Sequence, residues 1–455
     1  MRLTVIGCGH LGATHAACMA EIGHDVVGLD IDEAKVRLLN SGKAWFREPG
    51  LDEMLSRNVS AGRLRFTESF TEAAAFAAVH FLAVATPGLP DGSYDLSQLR
   101  AVMSSLLPRL PGASLIIGKS TVPPGTAAML QAMADSHLSR AEVAWNPEFL
   151  REGHSVEDTL RPDRIVAGVA GSAAEAKVRE IYAPLTEVGV PLVVTDLVTS
   201  ELVKGVANAF LATKISFINA MADMCSAAGG DVSVLARALG MDPRIGRPFL
   251  TAGIGYGGAC LPKDVRGLAA CAARLGARDA TDLLAVVDAI NVGRRRQVVD
   301  LVRDAAGRIK GKRIAVWGAA FKPGTDDVRG SPGLDVADSL HSQGANVTVY
   351  DPMATGNALE SFAHLAYADS ALHAVTGADV LVIVTAWPEF ADISPSRAGR
   401  LTARPVLVDA CQAVDPEAWR DAGWAVAGVH ARRSERSGGL ADAPGGTASW
   451  QGPAS

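Results

Sequence analysis

No stretch of this sequence approaches the roughly 18 consecutive apolar residues that a helix needs to cross a bilayer. The longest buried-looking runs, such as residues 380–384, have the length of a strand, so a membrane-spanning protein is not expected. The apolar run at residues 1–6 is also too short for a secretory signal and leads directly into a glycine-rich turn. Excess positive charge is missing as well. The 43 Lys and Arg against 49 Asp and Glu leave a formal charge of −6, which supplies no global field for a polyanion, and nucleic acid is not an expected partner. Six cysteines (Cys8, Cys18, Cys225, Cys260, Cys271, Cys411) form no C-x-x-C pair and accompany no His cluster at metal-ligand spacing. Neither structural zinc nor another metal is expected, and the thiols read as those of a reducing, cytoplasmic protein.

What is present is an ordinary globular composition, 48% hydrophobic and 20% charged over 455 residues, enough for two large domains or about three smaller ones. Strand-like runs at 3–6, 25–29, 79–84, 114–118 and 143–145 alternate with helical patterns, which predicts a parallel α/β sheet. A second set at 313–317, 346–350, 380–385 and 406–409 predicts a second α/β domain related in architecture to the first. Between them, residues 199–228 contain no Pro and only Gly205, with Leu202, Val206, Ala209, Phe210, Phe217 and Met221 at helical spacing. This predicts one long helix joining the halves, followed by helical stretches at 232–239, 265–276 and 281–302. From about residue 431 there is almost nothing to bury, and the segment reads as a disordered tail.

Two segments carry chemistry. Gly7-Cys8-Gly9-His10-Leu11-Gly12 follows a strand and opens an alanine-rich helix, and Asp30 ends the next strand. The glycines allow a tight turn and close approach to a pyrophosphate, the helix N-terminus supplies oriented N–H groups, and the carboxylate suits a ribose diol. A 2′-phosphate would be repelled by Asp30, which favours NAD over NADP. Lys35 faces either the adenosine side or solvent.

The second is Gly253-Ile254-Gly255-Tyr256-Gly257-Gly258-Ala259-Cys260-Leu261-Pro262-Lys263-Asp264. Its glycines let backbone wrap closely around something, and Pro262 suits the first turn of a helix. A cysteine just before that helix and beside Lys263 is expected to have its thiolate favoured by dipole and cation, as for a nucleophile. Asp264 reads as a base, a hydrogen-bond acceptor or a water activator at the same centre.

Together with Val84-Ala85-Thr86-Pro87, Lys119-Ser120-Thr121-Val122-Pro123-Pro124-Gly125-Thr126, Asn146-Pro147-Glu148-Phe149-Leu150-Arg151-Glu152-Gly153, Glu201-Leu202-Val203-Lys204 with Asn208, and Phe321-Lys322-Pro323-Gly324-Thr325-Asp326-Asp327-Val328-Arg329, these segments make residues 7–409 resemble the UDP-glucose 6-dehydrogenase family. That family lies within the nucleotide-sugar dehydrogenases, which oxidise a sugar C6 alcohol to a carboxylate. The resemblance implies two Rossmann-like doubly wound α/β domains joined by a long central helix that carries a homodimer contact. It divides the chain into an NAD-binding domain at 1–198, a central helical domain at 199–305, a UDP-sugar-binding domain at 306–430 and the tail at 431–455.

It also implies roles. Cys260 attacks the C6 aldehyde left by a first hydride transfer, a second oxidation gives a thioester, and hydrolysis releases the uronate, two NAD being used per UDP-glucose. Lys204 and Asn208, one helical turn apart, converge on the developing oxyanion. Thr121 sits near the nicotinamide and C6, Glu148 or Glu152 helps place water or a proton, and Asp264 completes the catalytic set. On the NAD side the resemblance puts Gly7, Gly9, His10, Leu11, Gly12, Asp30, Lys35, Thr86, Thr121, Glu152, Lys263 and Arg329, with no chemistry given to His10. Along the sugar nucleotide it puts Glu148, Phe149, Leu150, Arg151, Glu152, Lys204, Asn208, Phe249, Leu250, Thr251, Ala252, Gly253, Gly257 and Lys322.

The sequence departs from the family pattern at Cys8 and His10, where a small residue and an aromatic are common, and at Gly330, where an acidic residue is common and a salt bridge would be expected. GDP-mannose 6-dehydrogenase is the rival within the same chemistry, a non-catalytic nucleotide-binding protein the rival outside it, and a one-step 3-hydroxyacid-type dehydrogenase would need no thiol.

Overall fold

A computed structural model describes residues 1–137 and 139–428; the tail expected at 431–455 lies outside the described residues. The first sheet holds β1 (Arg2–Ile6), β2 (Asp25–Leu29), β3 (Leu64–Thr67), β4 (Val79–Leu82), β5 (Ser114–Gly118), β6 (Ala141–Trp145), β7 (Ile165–Gly168) and β8 (Leu192–Thr195). Their spatial order is β3-β2-β1-β4-β5-β6-β7-β8. The second sheet holds β9 (Arg313–Trp317), β10 (Asn346–Tyr350), β11 (Ala366–Tyr367), β12 (Val380–Ile383), β13 (Val406–Asp409) and β14 (Ala425–Gly428), in the order β11-β10-β9-β12-β13-β14. The second order repeats the first six positions of the first, the doubly wound arrangement whose switch point lies beside the strand that opens each domain. The expected purely parallel sheet is corrected at one place. β6 and β7 pair antiparallel through Trp145 opposite Gly168, because segment 146–164 turns back at the carboxyl edge of the sheet instead of crossing over it.

Buried apolar side chains cover both faces of the first sheet and form one core in the second domain. The central helix runs Leu197–Ala228, capped by Asp196, which accepts from the Thr199 N–H, and closed by Gly229 at φ +77°. Helices Leu261–Arg274 and Arg278–Ala306 pack beside it. Among the described residues no helix is long and apolar enough to cross a membrane.

The same device closes the first turn of each domain. Gly7 (φ +90°) and Gly318 (φ +115°) follow β1 and β9, and each donates its N–H to the neighbouring strand at 2.8 Å, to Leu29 and Tyr350 respectively. A Cβ on either would fall within 3 Å of the Val84 or Thr385 side chain, so only glycine fits. Past β2 and β10, Asp30 and Asp351 tie these turns down. Asp30 accepts from the N–H groups of Cys8 and Asp32, at 2.8 and 3.0 Å. Asp351 is buried and accepts from five donors: the N–H groups of Ala319, Ala320, Met353 and Ala354 and the Trp387 indole. Asp351→Ala orphans all five and is expected to remove roughly 3–5 kcal/mol of stability, seen as a lower midpoint of denaturant unfolding; an unchanged midpoint contradicts this account of the turn.

Candidate active site

The glycine loop meets the requirements of a dinucleotide cradle. A Cβ at Gly12 would lie 1.8 Å from the Gly7 carbonyl oxygen, so glycine is what lets helix His10–Glu21 sit tight against β1. At Gly9 a Cβ would meet nothing within 4 Å, which leaves open space beside a helix N-terminus without a side-chain cap. Asp30 keeps unshared lone pairs at the adjoining strand end. These features fit NAD, with pyrophosphate over Gly9 and ribose against Asp30.

The two departures in this loop have structural reasons. Cys8 is buried with its thiol toward the Leu29 carbonyl, and there is room for it because residue 28 is glycine: a Cβ there would lie 3.0 Å from the sulfur. His10 packs against Trp45 and Phe46, with ring centroids 4.5 and 4.1 Å away. Burial, helped by the Arg329 charge, lowers its pKa to about 4, so the ring is neutral near pH 7. Lys35 lies over the Trp45 ring at 5.0 Å and 3.7 Å from Asp32. Deeper along the carboxyl edge of the sheet, the Thr86 hydroxyl donates to the Thr121 carbonyl at 2.7 Å, and both residues are buried.

The central helix presents Lys204 and Asn208, both buried, on one face. Lys204 Nζ is 3.2 Å from Glu148 Oε1. Asn208 donates to Asp264 Oδ2 at 2.6 Å, Lys263 donates to Asp264 Oδ1 at 2.7 Å, and the Tyr94 hydroxyl stands 3.5 Å from the same oxygen. Both Asp264 oxygens therefore have donors, which leaves the acceptor reading of this residue ahead of the base reading. Although burial opposes charge on Lys204, the carboxylates of Glu148 and Asp264 help hold its pKa above the ordinary value, and it stays protonated.

Cys260 stands at the N-cap of helix Leu261–Arg274, with Pro262 in the first turn as expected. Protein surrounds the thiol closely, yet the residue is open to solvent through the cleft. The expected thiolate is corrected. Burial first, then the charge of Glu148, pushes the thiol up to about 12 despite Lys204. Lys263 gives the sulfur no relief because its ammonium is turned to Asp264.

The second domain forms the opposite wall. Lys322 donates to the Glu152 carbonyl at 2.6 Å, and Arg329 pairs with Asp327 at 2.6 Å and with Glu152 at 3.2 Å. A Cβ at Gly257 would lie 2.3 Å from the Gly330 carbonyl oxygen, so the cysteine segment and the 321–330 loop meet backbone to backbone. Gly330 has φ +57°, a conformation that suits glycine, and Asp327 supplies the acidic partner missing at that position. Of the expected sugar-side residues, Phe149 lies under the Arg164 guanidinium at 4.0 Å, Leu150 is half-buried and its N–H donates to Glu148, and Phe249 takes φ +66° beside buried Leu250 and Ala252 and exposed Thr251. Arg151 is not brought to the cleft; its side chain turns outward to Asp158 at 2.6 Å.

Sequence reasoning missed the polar groups behind the cysteine segment. Asn219 accepts from the Gly253 N–H, Asn291 bonds both the N–H and the carbonyl of Tyr256, and buried Arg294 donates to the Gly253 carbonyl and pairs with Asp223. The available signal was Asn and Arg inside otherwise apolar helix faces, since buried polar groups need partners.

Comparison with known proteins follows the same three pieces. The NAD-binding, central and UDP-binding domain models of one family match residues 1–186, 198–292 and 315–416. The chain belongs to the UDP-glucose/GDP-mannose dehydrogenase family. Within this family, the UDP-glucose 6-dehydrogenase of Rhizobium meliloti (strain 1021) is 42% identical over 418 residues, 90% of this chain and 94% of that one. The UDP-glucose 6-dehydrogenase of Pseudomonas aeruginosa is 39% identical over 442 residues, 94% and 97% of the two chains. Among solved structures, a UDP-glucose dehydrogenase from Pyrobaculum islandicum superposes with a TM-score of 0.88 at 36% identity, covering 94% of this chain and 97% of that chain.

Burial and neighbouring Asp327 raise Glu152 to about 7 from the ordinary 4.5. Between those pH values the folded protein keeps a proton that the unfolded chain has lost, so this group makes stability fall as pH rises from about 4.5 to about 7. The melting temperature of the wild type minus that of Glu152→Gln is therefore expected to shrink across that interval and level off above it; a pH-independent difference would remove the assignment.

Proposed function

We propose that this family member oxidises UDP-glucose to UDP-glucuronate with two NAD and one water, through a covalent intermediate on Cys260. The observation that carries the reading is the convergence of Cys260, Lys204, Glu148 and the Asn208–Asp264 pair on one another. Relatives named UDP-glucose 6-dehydrogenase, matched over nearly their whole length, support UDP-glucose as the substrate. The same reading keeps the division at about residues 198 and 305.

NAD, when bound, supplies the hydride acceptor for both oxidations. In the first, the C6 alcohol loses hydride from carbon and its hydroxyl proton to solvent and becomes an aldehyde, its oxygen held by Lys204 and Asn208 with Thr121 alongside. The Cys260 sulfur then forms a bond to C6, the thiol proton leaves, and the carbonyl oxygen becomes the hydroxyl of a thiohemiacetal. Loss of hydride from C6 and of the hydroxyl proton to solvent leaves a thioester. Water adds to that carbonyl, the C–S bond breaks, and carboxylate and thiol are released. Charged Lys204 and the preorganised Asn208 amide serve every oxyanion on this route without reorganising. Glu148, seated on Lys204, is the carboxylate nearest to accept the proton of the attacking groups, while Glu152 joins the two domain walls through Arg329. A reducing cytoplasm keeps such a thiol usable.

We also propose that the central helix carries a homodimer contact. Val206, Phe210, Phe217 and Met224 recur at helical spacing, and Phe210 is 66% exposed, a costly stripe for a free surface.

Purified protein given UDP-glucose and GDP-mannose in parallel is expected to form two NADH per UDP-glucose and essentially none with GDP-mannose, and Cys260→Ala abolishes uronate formation. Turnover restricted to GDP-mannose replaces the substrate, and full conversion by Cys260→Ala rules out the covalent route. Phe210→Glu is expected to halve the mass seen by sedimentation, whereas an unchanged mass rejects the helix contact.

A further inference from the structure

Lys119 lies in the conspicuous Lys-Ser-Thr-Val-Pro-Pro-Gly-Thr block but takes no part in the scheme above. It follows β5 directly, is buried, and its ammonium donates to Asn146 Oδ1 at 2.8 Å. Asn146 is the residue at which β6 ends and the Glu148 segment begins. Its backbone N–H still bonds Gly118, its side-chain amide donates to the Val166 carbonyl of β7 at 2.7 Å, and its oxygen also accepts from the Tyr182 hydroxyl. One amide thus ties together the strand ends where the sheet changes direction, and only Pro147, a stiff link, separates it from Glu148.

A small cavity of about 50 Å³ lies behind this segment, lined by Lys119, Asn146, Glu148, His15 and Tyr182 among others. His15 Nε2 is buried there without a hydrogen-bond partner. We propose that Lys119 is a positioning residue of the reaction: through Asn146 it fixes the start of the 146–152 segment, and so the seat of Glu148 against Lys204.

Folding gains little from this lysine. Burial lowers it to about 8, with Glu148 partly opposing, so its charge disfavours the folded state below about pH 8, and that penalty fades as pH rises toward the ordinary 10.5. A residue kept only for packing would be better served by an apolar chain of the same length. That contrast separates a positioning role from a structural one.

The proposal rests on the activity proposed above. Lys119→Met is expected to melt at or above the wild-type temperature at pH 7, to lose kcat by about 10- to 100-fold, and to leave KM for NAD within about threefold. Lys119→Arg, which keeps a cationic donor, retains kcat within about fivefold. With Glu148 released from Lys204, Cys260 faces a less neutralised cation, and its alkylation by iodoacetamide, followed by mass spectrometry of the Cys260 peptide, becomes several-fold faster. Should Lys119→Met fail to fold, Asn146→Ser removes the acceptor instead and is expected to give the same losses. Unchanged kcat and alkylation in a folded variant, an arginine variant as slow as the methionine one, or melting temperature and kcat falling together in every variant would each overturn the assignment. If the wild type turns over no nucleotide sugar, the activity reading fails on its own, and the alkylation rates still decide whether Lys119 seats Glu148.

Discussion

Burial strips an ammonium of basicity unless a counter-charge stands beside it, and the site is arranged around that constraint at Lys204. Glu148 meets it at 3.2 Å, and together with Asp264 opposes the burial that would discharge it. The surrounding geometry serves this pair. The central helix carries Lys204, and Glu201, one turn earlier, accepts from the N–H groups of Gly125 and Ala127 and so anchors that helix to the one that starts at Thr126. The 146–152 segment carries Glu148, and the antiparallel turn between β6 and β7 exists to deliver it. A breach of either support leaves a charge in low dielectric without its partner, which is far more costly than loss of an exposed pair.

Much of the fold was legible because its inner strands are short apolar runs or, at 346–350, a regular alternation: residues 25–29, 114–118, 313–317, 346–350 and 406–409 coincide with β2, β5, β9, β10 and β13. The strands that escaped notice are short and lie toward sheet edges or the reversal. Leu64-Arg65-Phe66-Thr67 alternates over four residues only, and β8 is half-exposed on an edge, so neither carries the signal of a buried run. The reversal at β7 was illegible for a different reason: direction depends on where a loop returns, which no local pattern records.

In the site, residue identity was legible and electrostatics was not. The glycine frame marked Cys260, and Lys204 and Asn208 came only with the family resemblance, while the state of the thiol depends on Glu148, 112 positions earlier in the sequence and brought near only by the fold. Local chemistry favoured a thiolate; tertiary structure turned Lys263 to Asp264 and buried the sulfur beside a carboxylate. Arg151 shows the same limit, since its outward turn to Asp158 is a matter of loop geometry. The paired devices at Asp30 and Asp351 show how one architecture separates two tasks. Five donors consume the carboxylate of Asp351, which makes it structural, whereas Asp30 has two and keeps lone pairs beside the open space at Gly9.

A protonated resting thiol sits well with the proposed chemistry. Until a carbonyl occupies the cleft there is nothing for a thiolate to attack, and a thiol whose ionisation is opposed by Glu148 resists alkylation and oxidation. Lys204 has three N–H donors and Glu148 occupies one of them, so the ammonium can reach a reacting oxygen without giving up its counter-charge. The same cation favours ionisation of Cys260, and in the proposed route it would also stabilise the oxygen at the other end of the carbonyl being attacked. On that route only the part of the stabilisation that grows as negative charge passes from sulfur to oxygen would accelerate the step, since what the cation gives the thiolate beforehand lowers the starting state as well.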